Sequence, residues 1–481
     1  MDPKVISRNI GIALLLNALF MYISAVVSAV YGFDASFSPL LLSALITSLA
    51  GGFPLIFVNR YYDINLKEGY VIVVLAWVIS CLFGMLPYAM FGGELSIIDS
   101  WFESVSGYTT TGATAIVDVE ALPKGLLFWR SSTHWLGGLG VVVFMLLVLP
   151  TVNSFRMKLS KMEISSLSKD NFRYKVKQTV RIISSVYLGL TIVEALLLHL
   201  AGMDFFDAIN HSFATVATGG FSTKNLSIAS YNSLSIEVII MSFMLLSGIH
   251  FGLLYSFFAG KSRSLFKSPI VRYYVISILT GSFIVSFYNK FSGVYVDWGT
   301  SFREGFFQVI SIGTTTGFAN GDSSVWPGFS IVLLFFFTIQ CACSGSTSGG
   351  MKVDRVLIFL LSIKAHIVKQ VHPSAVVPIK LGNNVIDRDI AYSVNLFIIL
   401  YVSLVFSTAV MLSFFGIPLM ESFSASAACM GNVGPGFGTI GSLGNYSDFP
   451  FVAKLLLSVQ MLLGRLEIYP IMLLFVVFRS R

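Results

Sequence analysis

Runs of about twenty apolar residues recur along the whole chain, and each is long enough to cross ~30 Å of hydrocarbon. Between pairs of these runs lie shorter amphipathic stretches, too brief to span a bilayer, each followed by a polar loop centred on glycine. In chain order the pattern predicts two spans, 9–31 and 38–58, then four units of span, short helix, loop and span. Unit one has spans at 69–91 and 125–149 around a short helix at 98–108. Unit two has spans at 178–201 and 233–259 around 204–216. Unit three opens with 270–290, has its short helix at 300–312, and ends in a broken segment. Unit four has spans at 389–415 and 452–478 around 418–430. Ten crossings result if the broken segment is one. The expected fold is an all-α polytopic membrane protein, with four pseudo-repeats around one central pore and two extra N-terminal helices. The segments are 1–68 for the additions, then 69–150, 151–260, 261–366 and 367–481 for the repeats. A cleaved signal peptide is the alternative for the first span, because Lys4 and Arg8 precede its apolar run. That run exceeds the usual signal core of about 7–15 residues.

The four loops carry the candidate chemistry. They read Thr109-Thr110-Thr111-Gly112, Ala217-Thr218-Gly219-Gly220, Thr314-Thr315-Thr316-Gly317 and Asn432-Val433-Gly434-Pro435-Gly436. Glycine turns a carbonyl where a Cβ would clash. Carbonyl rings of this kind replace the water shell of a cation in channel filters. The candidate filter residues are Thr110, Thr111 and Gly112; Thr218 and Gly219; Thr315, Thr316 and Gly317; and Asn432, Val433 and Gly434. Gly219 is aligned with the other three glycines, with a slip of one residue to Gly220 open. The competing reading, helix C-caps and turns, needs no preceding short helix. No carboxylate lies in the first three loops, nor in the fourth before Asp448. Carbonyl coordination of a monovalent cation follows, in place of a carboxylate ring for calcium. One shared glycine per loop, against two in the Thr-Val-Gly-Tyr-Gly filter, implies fewer ion sites and weaker discrimination among alkali cations. Asp99, Glu304 and Glu421 lie thirteen residues before their loop glycines and Asp207 twelve before Gly219. Ordinary helix capping accounts for acids at such starts.

Unit three's second segment is interrupted. Apolar residues 327–343 give way to Ser344-Gly345-Ser346-Thr347-Ser348-Gly349-Gly350, and helical sequence resumes at 353. Irregular backbone at membrane depth is tolerated only inside protein or against a watery cavity. The stretch is therefore expected beneath the filter as a movable gate; a cytoplasmic cap ending a span is the alternative. In unit four, Arg465 falls near mid-membrane, close to Glu467. Intramembrane charges make structural pairs or mark ion pathways. Two roles are open for Arg465: a pair with Glu467 or backbone carbonyls, or a positive barrier against the pore.

Charge then fixes an orientation. Of 31 Lys and Arg, 24 fall in 1–8, 59–68, 151–181, 260–272, 351–388 and 479–481. The positive-inside rule places these segments and both termini in the cytoplasm. The +7 net charge therefore implies no nucleic-acid partner. The four cysteines, Cys81, Cys341, Cys343 and Cys429, have no metal-binding spacing and read as buried small residues. His134 and His250 lie in second spans; hydrogen-bonded histidines are favoured over a proton relay. No HExxH or GxSxG is present, and no enzyme is expected.

Together the loops Thr-Thr-Thr-Gly, Ala-Thr-Gly-Gly-Phe-Ser, Thr-Thr-Thr-Gly-Phe and Asn-Val-Gly-Pro-Gly, with the Ser/Gly break, resemble the TrkH-type membrane subunits of bacterial Trk potassium-uptake systems. Their superfamily includes KtrB and plant HKT proteins. The resemblance covers essentially the whole chain. It implies K⁺ as the transported ion, a homodimer with one pore per chain, the bacterial inner membrane, 344–350 as gating loop and Arg465 as the family's arginine of the last span. It also implies a cytoplasmic TrkA-type regulatory ring that binds nucleotide. No organic cofactor or nucleotide site is read in this chain, since Gly431–Gly438 lacks a strand–turn–helix setting. The basic segments 151–181 and 351–388, with a hairpin-like pattern over 375–386, are candidate docking surfaces for that ring; anionic membrane lipid is the alternative partner. A gated potassium-uptake channel is the leading reading, and a transporter coupling K⁺ to H⁺ or Na⁺ the second.

Overall fold

The computed structural model describes residues 2–58, 66–93, 95–148, 176–260, 264–382 and 384–479. The two added helices come first, α1 (Pro3–Val30) and α2 (Phe37–Phe57). Asp2 caps α1 by accepting from Lys4 N at 2.9 Å. The two helices cross closely: a Cβ on Gly11 would lie 2.5 Å from Gly51 O. Small residues at such crossings let membrane helices pack backbone to backbone. Both helices rest on unit one, which comprises α3 (Leu66–Gly84), α4 (Leu86–Phe91), α5 (Ile97–Tyr108) and α6 (Lys124–Val148).

Unit two follows with α7 (Val176–Leu200), α8 (Phe205–Val216), α9 (Leu234–Ser247) and α10 (Phe251–Phe258). A short α11 (Ser264–Lys267) leads to unit three, which holds α12 (Pro269–Phe291), α13 (Trp298–Gly313), α14 (Gly328–Gln340) and α15 (Val353–Val371). A two-stranded antiparallel hairpin, β1 (Ile379–Leu381) and β2 (Asn384–Ile386), pairs Ile379 with Ile386 and contacts α15. Unit four contains α16 (Arg388–Phe414), α17 (Leu419–Gly431), α18 (Phe451–Arg465) and α19 (Ile468–Arg479).

The expected short helices all form. Ser96, Asp204 and Asp297 cap α5, α8 and α13 with side-chain oxygens, and α17 begins after Pro418. Each packs between its own unit's spans and the second span of the preceding unit: α5 also touches α18, α8 touches α6, α13 touches α9 and α17 touches α14. The units therefore close in a ring, one to two to three to four and back to one. Among the described residues six helices are long and apolar enough to cross a membrane, and α9 with α10 forms a further bent pair. Leu49, Phe53 and Ile56 are exposed on the outside, while Ser104, Ser106, Thr109 and Thr315 are buried within. Apolar outside and hydroxylated inside is the arrangement that hydrocarbon demands of a chain surrounding a polar centre.

Two expected continuous second spans are broken. The predicted 233–259 span splits into α9 and α10, bent by 108°. His250 forces the turn by capping α10, its Nδ1 accepting from Gly252 N at 3.0 Å. The predicted 452–478 span splits into α18 and α19 at Glu467, whose φ is +61°. With the break after α14, interruption of the second span is the rule in units two to four. The first span of unit one has a turn residue at Met85, ahead of Pro87, but stays a single span over Lys67–Phe91.

Candidate functional site

The four short helices end at Tyr108, Val216, Gly313 and Gly431, and the backbone then repeats one motif four times. A non-glycine residue with positive φ comes first: Thr110 (+51°), Thr218 (+54°), Thr315 (+62°) and Asn432 (+53°). Two residues later stands a glycine with positive φ: Gly112 (+80°), Gly220 (+79°), Gly317 (+79°) and Gly434 (+91°). The register in loop two is therefore Gly220, one residue beyond the aligned Gly219. With Gly220, the acids Asp99, Asp207, Glu304 and Glu421 all stand thirteen residues upstream.

The loops meet one another in order. A Cβ on Gly112 would lie 2.0 Å from Gly219 O, one on Gly220 2.0 Å from Thr316 O, one on Gly317 2.2 Å from Val433 O, and one on Gly434 2.5 Å from Thr111 O. The middle carbonyl of each loop thus abuts the glycine of the loop before it, and the series closes on itself. Any side chain at these glycines would collide with backbone, and would do so at a φ costing an L-residue about 1–2 kcal/mol. Side chains fix the loops from behind. Thr109 Oγ1 lies 2.7 Å from Thr111 Oγ1 and Thr314 Oγ1 2.9 Å from Thr316 Oγ1; Asn432 Nδ2 donates to Thr111 Oγ1 at 3.0 Å, joining loops four and one. Gly434 O accepts from Tyr446 OH at 2.8 Å, so this carbonyl has one lone pair committed to protein. Thr110 Oγ1 and Asn432 Oδ1 are buried and have no hydrogen-bond partner among the described residues.

The helix-start acids do more than cap. Only Asp99 makes a cap contact, with Ser96 Oγ donating to it at 2.6 Å, and it also pairs with Lys454 at 2.6 Å. Asp207 accepts from Thr223 at 2.7 Å and Tyr231 at 2.8 Å, Glu304 from Tyr295 at 2.6 Å, and Glu421 from Thr439 N at 3.3 Å. Each of these three ties its short helix to a neighbouring connecting segment. A second set of acids, unforeseen in the sequence, locks the units to each other. Glu103 is buried against Arg130, whose Nη1 donates to Ser222 O at 2.9 Å in loop two. Arg303 clamps Glu237 at 2.8 and 2.9 Å, joining units three and two. Between the segments that follow loops one and two, Asn225 donates to Asp118 at 2.7 Å and holds that carboxyl below its usual value.

The Ser/Gly stretch lies against the inner end of these loops. Thr347 Oγ1 donates to Val216 O at 3.0 Å, Thr315 Oγ1 donates to Ser348 Oγ at 3.1 Å, and a Cβ on Gly349 would meet Asn432 Oδ1 at 2.4 Å. Its start is pinned to the break between α9 and α10. Cys343 N donates to Gly248 O and Phe251 N to Gly345 O, each at 3.1 Å. Asp354, in the first turn of α15, accepts from both Ser344 N and Ser344 Oγ. Gly345 has φ +77° and Gly350 φ +66°. Ser346, Thr347 and Ser348 are buried.

Arg465 reaches this stretch directly. It is 2% exposed; its Nη1 donates to Thr347 O and its Nη2 to Gly137 O at 3.2 Å. The pairing with Glu467 does not form. Glu467 turns instead to Arg355 at 3.0 Å and Lys352 at 3.7 Å, just beyond the stretch. Residues two apart on a helix do not face each other, and the positive φ at Glu467, just past the end of α18, turns its side chain toward α15 instead. His134 is hydrogen-bonded at both nitrogens, to Gly107 O at 2.8 Å and from Phe221 N at 3.2 Å, leaving no free nitrogen to relay a proton. The four cysteines are buried.

Comparison with known proteins decides the family. The profile of TrkH, described as a cation transport protein, matches residues 41–480. The chain belongs to the TrkH family. A relative named Trk system potassium uptake protein TrkH, from Escherichia coli K12, is 36% identical over 99% of each chain. The protein of the same name from Halomonas elongata is also 36% identical, over 99% of this chain and 98% of its own. The crystal structure of the potassium transporter TrkH from Vibrio parahaemolyticus superposes with a TM-score of 0.89 at 32% identity, over 98% of each chain. The basic segment 151–181 lies largely outside the described residues, and its docking role with it.

Proposed function

We propose that this chain takes up potassium across the bacterial inner membrane through one gated pore, with the four loops as its selectivity filter. The observation carrying the reading is the closed series of contacts from Gly112 to Gly219, Gly220 to Thr316, Gly317 to Val433 and Gly434 to Thr111. A dehydrated cation on the axis would exchange its water for loop carbonyls. The C-terminal ends of α5, α8, α13 and α17 point negative dipole toward that axis. The orphaned Thr110 Oγ1 and Asn432 Oδ1 offer further oxygen at the inner end. The names of the relatives, potassium uptake proteins and a potassium transporter, support the ion.

In this reading 1–68 is an addition, and 69–150, 151–260, 261–366 and 367–481 are the pore repeats. Residues 344–350 are the gate, shut against the filter by Thr347 and held by Arg465. Both termini face the cytoplasm, two chains form a dimer, and a nucleotide-binding ring acts on the gate from the cytoplasmic side. Potassium flux into liposomes, driven by a K⁺ gradient with and without a pH gradient, tests the proposal. Flux that follows the K⁺ gradient alone is expected; flux that requires the pH gradient would establish coupled transport instead.

A further inference from the structure

The four positive-φ glycines that close the loops, Gly112, Gly220, Gly317 and Gly434, differ in one respect. Gly434 O accepts from Tyr446 OH at 2.8 Å, whereas no donor reaches the other three glycine oxygens among the described residues. Buried carbonyls are ordinarily bonded to protein or water. In the filter reading the three open oxygens are kept for the ion, and Gly434 O is shared between ion and protein.

Loop four also lacks the brace that two other loops build for themselves. In loops one and three a hydroxyl pair holds the turn, Thr109 with Thr111 at 2.7 Å and Thr314 with Thr316 at 2.9 Å. The matching positions in loop four are Gly431 and Val433, which carry no hydroxyl. In loop two they are Ala217 and Gly219, and there His134 stands in: a Cβ on Gly219 would lie 2.5 Å from its ring, and Phe221 N donates to its Nε2 at 3.2 Å.

The brace of loop four is anchored in unit one. Tyr446 is buried, and its N donates to Thr114 O, just past loop one, at 2.8 Å. Its ring packs on Phe102 of α5, with centroids 5.5 Å apart, and on Phe449 at 5.2 Å. A phenol has one proton to donate, and this one goes to Gly434 O. The contact lies at the seam where the ring of units closes, together with the bond from Asn432 Nδ2 to Thr111 Oγ1 at 3.0 Å. Gly434 sits at φ +91° without a Cβ to restrict it, so the place of its oxygen depends on what grips it from outside. A carbonyl free to shift closes on sodium, the smaller ion; a carbonyl held in place does not.

We propose that Tyr446 is a positioning residue for ion discrimination: its hydroxyl replaces the threonine pair that loop four lacks and holds Gly434 O where it suits potassium and is too distant for sodium. The proposal rests on the filter reading above. Tyr446→Phe removes the hydroxyl and keeps the ring. Two readouts are taken on the variant and on wild type: the ratio of K⁺ to Na⁺ flux into liposomes, and the difference in detergent melting temperature between matched KCl and NaCl, which reports ion binding without transport. In the variant the flux ratio should fall about two- to tenfold, as the loss of one neutral hydrogen bond allows, and the difference between the two salts should shrink. An unchanged flux ratio, a melting temperature lowered equally in both salts, or protein that fails to fold would make the hydroxyl a plain structural tie and overturn the proposal. Wild type without preference for K⁺ in either readout would sink the filter reading itself, and the proposal with it, whatever the variant does.

Discussion

Arg465 offers the most direct way to ask whether the Ser/Gly stretch is a gate. Its guanidinium makes two hydrogen bonds to backbone, one to Thr347 O in the stretch and one to Gly137 O on α6. The bond to Gly137 joins two second spans and survives a movement of the stretch alone. The bond to Thr347 exists only while the stretch stays seated against the four loops. Hydrogen bonds to a charged group contribute about 1.5–3 kcal/mol each. Losing the one that distinguishes the seated state should therefore raise the unseated population by about 10- to 150-fold. The assay is K⁺ flux into liposomes from Arg465→Ala, normalised to protein that elutes as a single folded species in detergent. Arg465→Lys separates charge from geometry: it keeps the positive charge but not the fork that bonds two carbonyls at once. We expect faster flux from the alanine variant and an intermediate rate from lysine. Well-folded Arg465→Ala with wild-type flux would refute a gating role and leave Arg465 as a structural tie.

Three further outcomes follow from the same geometry. Gly220→Ala, which sets a Cβ 2.0 Å from Thr316 O at φ +79°, should abolish K⁺ flux in protein that still folds; retained flux would refute the register of loop two. Glu103→Gln should lower the melting temperature in detergent, since breaking a buried ion pair costs about 3–5 kcal/mol, and a second change, Arg130→Met, should restore part of it; an unchanged melting temperature would show the pair to be idle. Deleting 375–386 removes the hairpin and should abolish capture of a cytoplasmic regulatory ring without blocking membrane insertion, and undiminished capture would exclude the hairpin as a docking surface.

Much of this was legible in the sequence because a membrane imposes a length on each element. Apolar runs set the spans, and runs too short to cross, each ending at a polar glycine, marked the four short helices close to their observed ends. What stayed hidden depends on single residues whose effect is three-dimensional. Gly248 and His250 sit in an apolar stretch long enough to be one span; only a side chain capping the next helix shows that it bends. Arg465 and Glu467 are near neighbours in sequence, but residues two apart do not face each other on a helix, and Glu467 finds its partners in Arg355 and Lys352 of another segment. Gly219 and Gly220 are equivalent in composition, yet only one has the backbone of the other loops. The uniform thirteen-residue spacing from the helix-start acids was the signal that would have chosen it. Glu103, Glu194 and Glu237 drew no attention, because hydropathy averages hide one acid in an apolar window. All three are buried, and it is their arginine partners that separate Glu103 and Glu237 from Glu194.

The central claim is that four loops give their backbone oxygens to one dehydrated cation. Anomalous diffraction from crystals grown with thallium ions, which stand in for potassium and scatter strongly, tests it most directly. The account predicts density on the axis enclosed by Thr110–Gly112, Thr218–Gly220, Thr315–Gly317 and Asn432–Gly434, lost when sodium replaces thallium. Thallium bound elsewhere in the protein, with that axis empty, would contradict it.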